Sequence, residues 1–170
     1  MRSSILVVLC STLAMSAPSF AQESDVQPGY IAVNDERDAP VARVTDPQSN
    51  NTLAVSCANG RLGLTIRYGG LSMQNAPTQE QGVTVVFASR GGTVEVPATS
   101  RPDEGIVVTS SDAEAHDTIR DALRSFSAMT SDDVATVTIN NGQGQPIGTI
   151  TVSGKGTTRA YGKVMQGCRG

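Results

Sequence analysis

The residues of this chain that could do chemistry are few: three cysteines (Cys10, Cys57 and Cys168), one histidine (His116) and sixteen acids. A zinc site asks for a cluster of thiolate and imidazole donors; His116 is the only histidine and Cys57 and Cys168 are better used in a bridge, so no such cluster exists. Calcium asks for oxygen ligands at alternating positions with a glycine in the loop. Neither Asp35-Glu36-Arg37-Asp38 nor Ser131-Asp132-Asp133 follows that spacing. A serine nucleophile would have to use His116 as its base, and no G-x-S-x-G elbow is present. His116 stands between Ala115 and Asp117 in what reads as the first turn of a helix, the setting of a surface histidine. Gly91-Gly92 and Gly142-Gln143-Gly144 read as hairpin turns rather than a phosphate loop feeding a helix. The acids fall mostly in polar loops, where carboxylates keep a surface soluble. The expectation is a non-enzymatic protein with no metal and no cofactor. One covalent reaction is left, the joining of two thiols.

Whether those thiols meet an oxidant depends on where the chain folds. Arg2, an uncharged apolar stretch over 5–15, and small residues at Ser19 and Ala21 form a secretory signal peptide over 1–21. It is too short and wrongly flanked for a membrane span. Cleavage ahead of Gln22 is expected, leaving a periplasmic or secreted protein. Cys10 lies in the apolar part of the signal behind Val7, Val8 and Leu9, without the small residue that precedes a lipidated cysteine. Its removal leaves Cys57 and Cys168 to form one disulfide in an oxidising compartment. Closing so long a loop stabilises by about 4–5 kcal/mol in the chain-entropy model.

Residues 22–28 read as a loose polar leader and 29–170 as one domain. With no Trp, three Tyr and three Phe, the core must come from Val, Ile, Leu and Ala, and many of these lean to strand. Short strands are expected at 30–33 and 41–45. The clearest element is a hairpin of 53–58 and 61–68 around Asn59-Gly60, the dipeptide that supplies two positive φ angles for a type I′ turn. That turn sets Cys57 opposite Leu62, Val55 opposite Leu64 and Leu53 opposite Ile66, all on one face. A connector over 69–82 leads to a second hairpin, 83–88 and 93–97, across the four residues Ser89 to Gly92. A further connector over 98–105 precedes a short strand at 106–109, and 134–140 with 147–152 make a third hairpin. Ser111 and Glu114 match a capping box. Behind them Ala115, Ile119, Ala122, Leu123 and Phe126 recur at helical spacing. Thr157 reads as the cap of a last helix. Its apolar stripe, Ala160, Tyr161, Val164, Met165 and Cys168, would bring Cys168 onto the first hairpin and so to Cys57. The fold class is therefore α+β: a mainly antiparallel, sandwich-like sheet with two helices, stapled by one disulfide.

Charge is uneven. From Gln22 to Asp133 there are sixteen acidic and eight basic residues; beyond Asp133 there is no acid, while Lys155, Arg159, Lys163 and Arg169 remain. Lys155, Arg159 and Lys163 would suit an acidic partner or complement the dipole of the last helix. Tyr68, Leu71 and Met73, around the one loop with apolar content, are the other candidate partner-binding residues. An acidic chain with few aromatics argues against nucleic acid.

The cysteine-ended strand Leu53-Ala54-Val55-Ser56-Cys57-Ala58-Asn59 is followed by a V-x-V-x-F-like strand over 83–87, a helix and a hairpin. Then Gly156-Thr157-Thr158-Arg159-Ala160 runs to a cysteine two residues from the end. This order resembles the exported accessory proteins associated with bacterial type VI secretion, the VasI-like family, over 53–168. The chain offers Tyr30 where that family has an aromatic, usually tryptophan, and Thr157 where an apolar residue follows the glycine. The resemblance implies an envelope protein that binds another protein, and carries over no catalytic residue. The alternative function is an inhibitor or immunity protein against a lysozyme-like wall hydrolase, with the loop after Tyr68 entering its cleft. Intact-mass measurement of the exported protein is expected to give a chain starting at Gln22, lighter than its reduced form by two hydrogens. Two thiols that alkylate without denaturant would overturn the stapled fold.

Overall fold

Alternation of apolar and polar residues recurs along this chain, and most of it folds as strands. The computed structural model describes residues 32–33, 40–69, 78–102, 105–109 and 113–168. The signal peptide, the leader, Ser111 of the capping box, Leu71 and Met73 lie outside the described residues. In chain order come β1 (Ala32–Val33), β2 (Val41–Thr45), β3 (Thr52–Ala58) and β4 (Arg61–Arg67). Next are β5 (Gln81–Ser89), β6 (Gly92–Arg101), β7 (Gly105–Thr109) and α1 (Ala113–Ser127). The chain finishes with β8 (Val134–Asn140), β9 (Pro146–Ser153) and α2 (Thr157–Gly167). All strand pairs are antiparallel, in one nine-stranded sheet of order β1-β2-β3-β4-β7-β6-β5-β8-β9. The fold is the α+β class that the sequence implies, with its two helices and its disulfide.

The first hairpin is built as its turn dictates. Asn59 (φ 53) and Gly60 (φ 71) both sit in the left-handed region. Cys57 pairs with Leu62, Val55 with Leu64 and Leu53 with Ile66, and all six are buried. The second hairpin is longer and tighter than expected: Ser89 pairs with Gly92, leaving only Arg90-Gly91 as the loop. Its second strand runs to Arg101, so much of the expected 98–105 connector is strand, and β7 pairs with its far end. Pro97 is tolerated inside β6 because β7 reaches only Thr99 to Arg101, so the missing N–H falls on an open edge.

The sheet curls until its last strand meets the connector between β2 and β3, so opposite walls face each other and the single sheet acts as both layers. A free edge on β9 would leave a row of unpaired backbone groups. Side chains of the connector take the place of a neighbouring strand. Thr149 O accepts from Ser49 Oγ (3.1 Å) and Asn51 Nδ2 (3.3 Å), and Thr151 N donates to Asp46 Oδ2 (3.1 Å). The other Asp46 oxygen accepts from Gln48 N at 2.8 Å, and Asn51 Oδ1 accepts from Gly69 N at 3.0 Å. Asp46 and Asn51 are buried by this clasp.

Both helices pack on the inner face. Ile119, Ala122, Leu123 and Phe126 of α1 are buried, and Phe126 meets Phe87 of β5 edge to face with ring centroids 5.5 Å apart. Such a pair adds about 0.5–1.5 kcal/mol beyond its buried area. Ser89 Oγ also donates to Ser125 O, tying the β5–β6 turn to the end of α1. In α2, Ala160 and Val164 are buried, and Cys168 at its C-cap is joined to Cys57 with Cα atoms 5.5 Å apart. Thr157 is not the cap expected of it. Gly156 takes that position with φ 89, and Thr157 is the first helical residue, its buried hydroxyl donating to Gly154 O. A left-handed backbone suits glycine, which has no side chain with which to cap the helix.

Asp46→Ala strips the part-buried Thr151 amide of its acceptor and is expected to cost about 1–3 kcal/mol, read as a lower urea midpoint. Thr45→Ala, which removes only an exposed hydroxyl pair to Thr52, serves as control. An unchanged midpoint for Asp46→Ala would mean that the clasp does not hold the β9 edge.

Candidate functional site

Of the residues proposed from sequence, the structure describes Tyr68 beyond β4 and the three cations at α2, on different elements. Tyr68, just beyond β4, is half-buried, and its ring lies where any side chain at Gly148 of β9 would meet it. Its hydroxyl is turned inward toward Ser100 of β6, and both oxygens are shielded from solvent without a hydrogen bond of good geometry. Burial raises the phenol pKa, with the Ser100 hydroxyl acting weakly in the opposite sense. The polar end of Tyr68 thus faces the fold. Lys155 is exposed in the turn before α2, Arg159 is exposed in the first turn, and Lys163 is half-buried one turn later. Arg159 and Lys163 share a helix side. They do not complement the helix dipole, since the first turn holds no acid and the last turn no base.

His116 is not simply a surface residue. It is half-buried, and its Nδ1 accepts a hydrogen bond from Leu62 N at 3.3 Å, fastening α1 to the start of β4. Among the described residues no group of three His, Cys, Asp or Glu is placed to hold a metal ion, and no helix is long and apolar enough to cross a membrane.

A different feature emerges on the outside of the curl. Strand pairing brings Thr84, Val86 and Ala88 of β5, Thr136, Thr138 and Asn140 of β8, and Thr149 and Thr151 of β9 to one outward face. Thr138 stands opposite Thr149, and Thr136 opposite Thr151. The face carries no charge, although 17% of the chain is charged. Val134, at the end of β8, is 52% exposed, the one large apolar side chain so exposed among the described residues. At the opposite end the face opens into a groove of about 610 Å³. Its walls are Thr84, Glu95, Pro97, Asn140 and the turn at Asn141, Gly142 and Gly144. The turn is rigid, because Asn141 Oδ1 accepts from both Gln143 N and Gln145 N. Charges flank the face: Glu95 of β6, opposite Val86 and beside the groove, and Asp133 with Arg90 (3.8 Å) beside Val134. No described element covers the face.

This patch was not readable from the sequence. Its only trace there is T-x-T in two strands, Thr136-Val137-Thr138 and Thr149-Ile150-Thr151, which strand propensity explains by itself. Compared with family models, with curated proteins and with solved structures, the chain matches none.

Asp133 marks the margin electrostatically. Its carboxylate accepts from Thr130 N at 2.7 Å, and this backbone bond, with Thr130 and then Arg90, holds its pKa below the ordinary aspartate value. A folded-state pKa below the unfolded one stabilises above the unfolded value, and the contribution disappears as pH falls through the folded value. Carbon-detected NMR titration is expected to find Asp133 ionising below an unstructured aspartate and only slightly shifted by Arg90→Ala. An ordinary value would mean that the Thr130 hydrogen bond is not made in solution.

Proposed function

We propose that this protein is an exported, non-enzymatic protein-binding module of the bacterial envelope that docks a partner through the outer face of β5, β8 and β9. The observation that carries this reading is the charge-free patch with exposed Val134, set between charged margins. Interface centres are depleted of charge, while their rims remain polar. A module working outside the cytoplasm also has use for a disulfide that ties its last helix to its first hairpin. Within this reading, the resemblance to secretion-associated proteins makes a component of a secretion machine the favoured partner.

Site-specific photo-crosslinking in the producing cell tests this. A crosslinker at Thr138 is expected to yield a discrete adduct with an envelope protein, and one at Thr158 on α2 is not. Thr149→Glu places an unpaired charge in the patch and is expected to weaken binding of the identified partner at least about tenfold, or 1.4 kcal/mol, with thermal stability unchanged. Secretion components in the adduct support the accessory role. A lysozyme-like hydrolase instead would make the module an inhibitor. Equal crosslinking from both positions, or binding indifferent to the charge, would remove this face from the function.

A further inference from the structure

We propose that Cys168 is the sulfur through which the Cys57–Cys168 bond exchanges with external thiols, and that Cys57 is always the departing or resolving sulfur. The two ends of the bond live in different surroundings. Cys57 lies on the inner face of β3, is 1% exposed, and is held in register opposite the fully buried Leu62. Cys168 is half-buried at the C-cap of α2, packed on the edge of the core rather than inside it.

Thiol–disulfide exchange is an attack by a thiolate on one sulfur with departure of the other, so access to the attacked sulfur decides the route. The attacker must come from the side opposite the leaving sulfur. For Cys57 that approach passes through packed core. For Cys168 it comes from the partly exposed side of the α2 C-cap. The balanced sequence follows. An external thiolate bonds to Cys168 Sγ, the Sγ–Sγ bond breaks, and its electron pair leaves on Cys57 Sγ, which takes a proton from water. A second thiolate then attacks the external sulfur of the mixed disulfide and releases Cys168 as a thiolate, which is protonated in turn. Two external thiols become one disulfide, and the protein gains two electrons and two protons. Run backwards, the same path makes the bond during folding, with Cys168 accepting the external sulfur and Cys57 displacing it.

Burial adds a kinetic consequence. An apolar site disfavours the charged thiolate, so Cys57 leaves reluctantly and the bond yields slowly in the folded protein. Cys57 N donates to Pro40 O at 3.3 Å, and Gly167 packs so closely on the Pro40 ring that a side chain there would collide with it. The segment around the bond is therefore held even when the sulfurs separate, which keeps Cys57 inaccessible throughout the exchange.

The test uses the oxidised wild-type protein and reduced glutathione without denaturant. The reaction is quenched with acid at short times, and the adduct is mapped after proteolysis. Glutathione is expected on the Cys168 peptide, with none on the Cys57 peptide. In parallel, an aromatic disulfide probe should react at least about tenfold faster with Cys168 in Cys57→Ser than with Cys57 in Cys168→Ser, because thiol reactivity follows exposure. An adduct on Cys57, or on both cysteines equally, overturns the proposal. So do equal probe rates in two folded variants. Should a variant fail to fold, the wild-type mapping decides alone.

Discussion

The molecule depends on what happens at the outer edge of β9. That edge has a carbonyl at Thr149 and an amide at Thr151 with no strand beside them, and both are satisfied by side chains of the β2–β3 connector. Ser49, Asn51 and Asp46 act as a substitute strand, which lets a nine-stranded sheet close on itself without a continuous ladder. Because the clasp joins the last strand to the second connector, it turns a twisted ribbon into a shell with an inside and an outside. Each buried member is itself satisfied. Asp46 has Gln48 N on its second oxygen, and Asn51 uses both ends of its amide. A carboxylate buried without such partners would be among the costliest groups in the protein.

Once the shell has an inside, the helices have only one place to go. α1 fills it through Phe126 against Phe87, and His116 fastens the other end of that helix to the Leu62 amide. α2 covers the β2–β3 part and is tied there by Cys168. Consuming the apolar faces of both helices on the inner side leaves the outer face of β5, β8 and β9 to threonines, Val86, Ala88, Asn140 and the well-exposed Val134. This β-branched, uncharged surface between charged margins is the one on which the proposed docking rests. The helices and the staple contribute to that surface only by holding the strands behind it in register.

Much of the frame was legible because its causes are local. The first hairpin could be placed pair by pair, since Asn59-Gly60 admits few turns and the period of two then assigns every side chain a face. The stripes of both helices were legible for the same reason. Local rules failed where a residue had more than one local use. Thr157 looked like a cap, but Gly156 took the left-handed position and left Thr157 to bond Gly154. Ser89 to Gly92 looked like a four-residue turn, but Arg90-Gly91 alone suffices. His116 looked superficial because its partner, Leu62, lies 54 residues away in the chain.

By itself, the sequence determined the composition of the core, the faces of strands and helices, and the approach of Cys57 to Cys168, because periodicity and turn chemistry act within a few residues. Tertiary structure alone decided the strand order, the clasp on β9, the inward turn of Tyr68 and the uncharged outer face of β5, β8 and β9. Each of those joins residues far apart in the chain, and a pairing across such distances is selected by the shape of the whole closed sheet and by no local preference of the residues that make it.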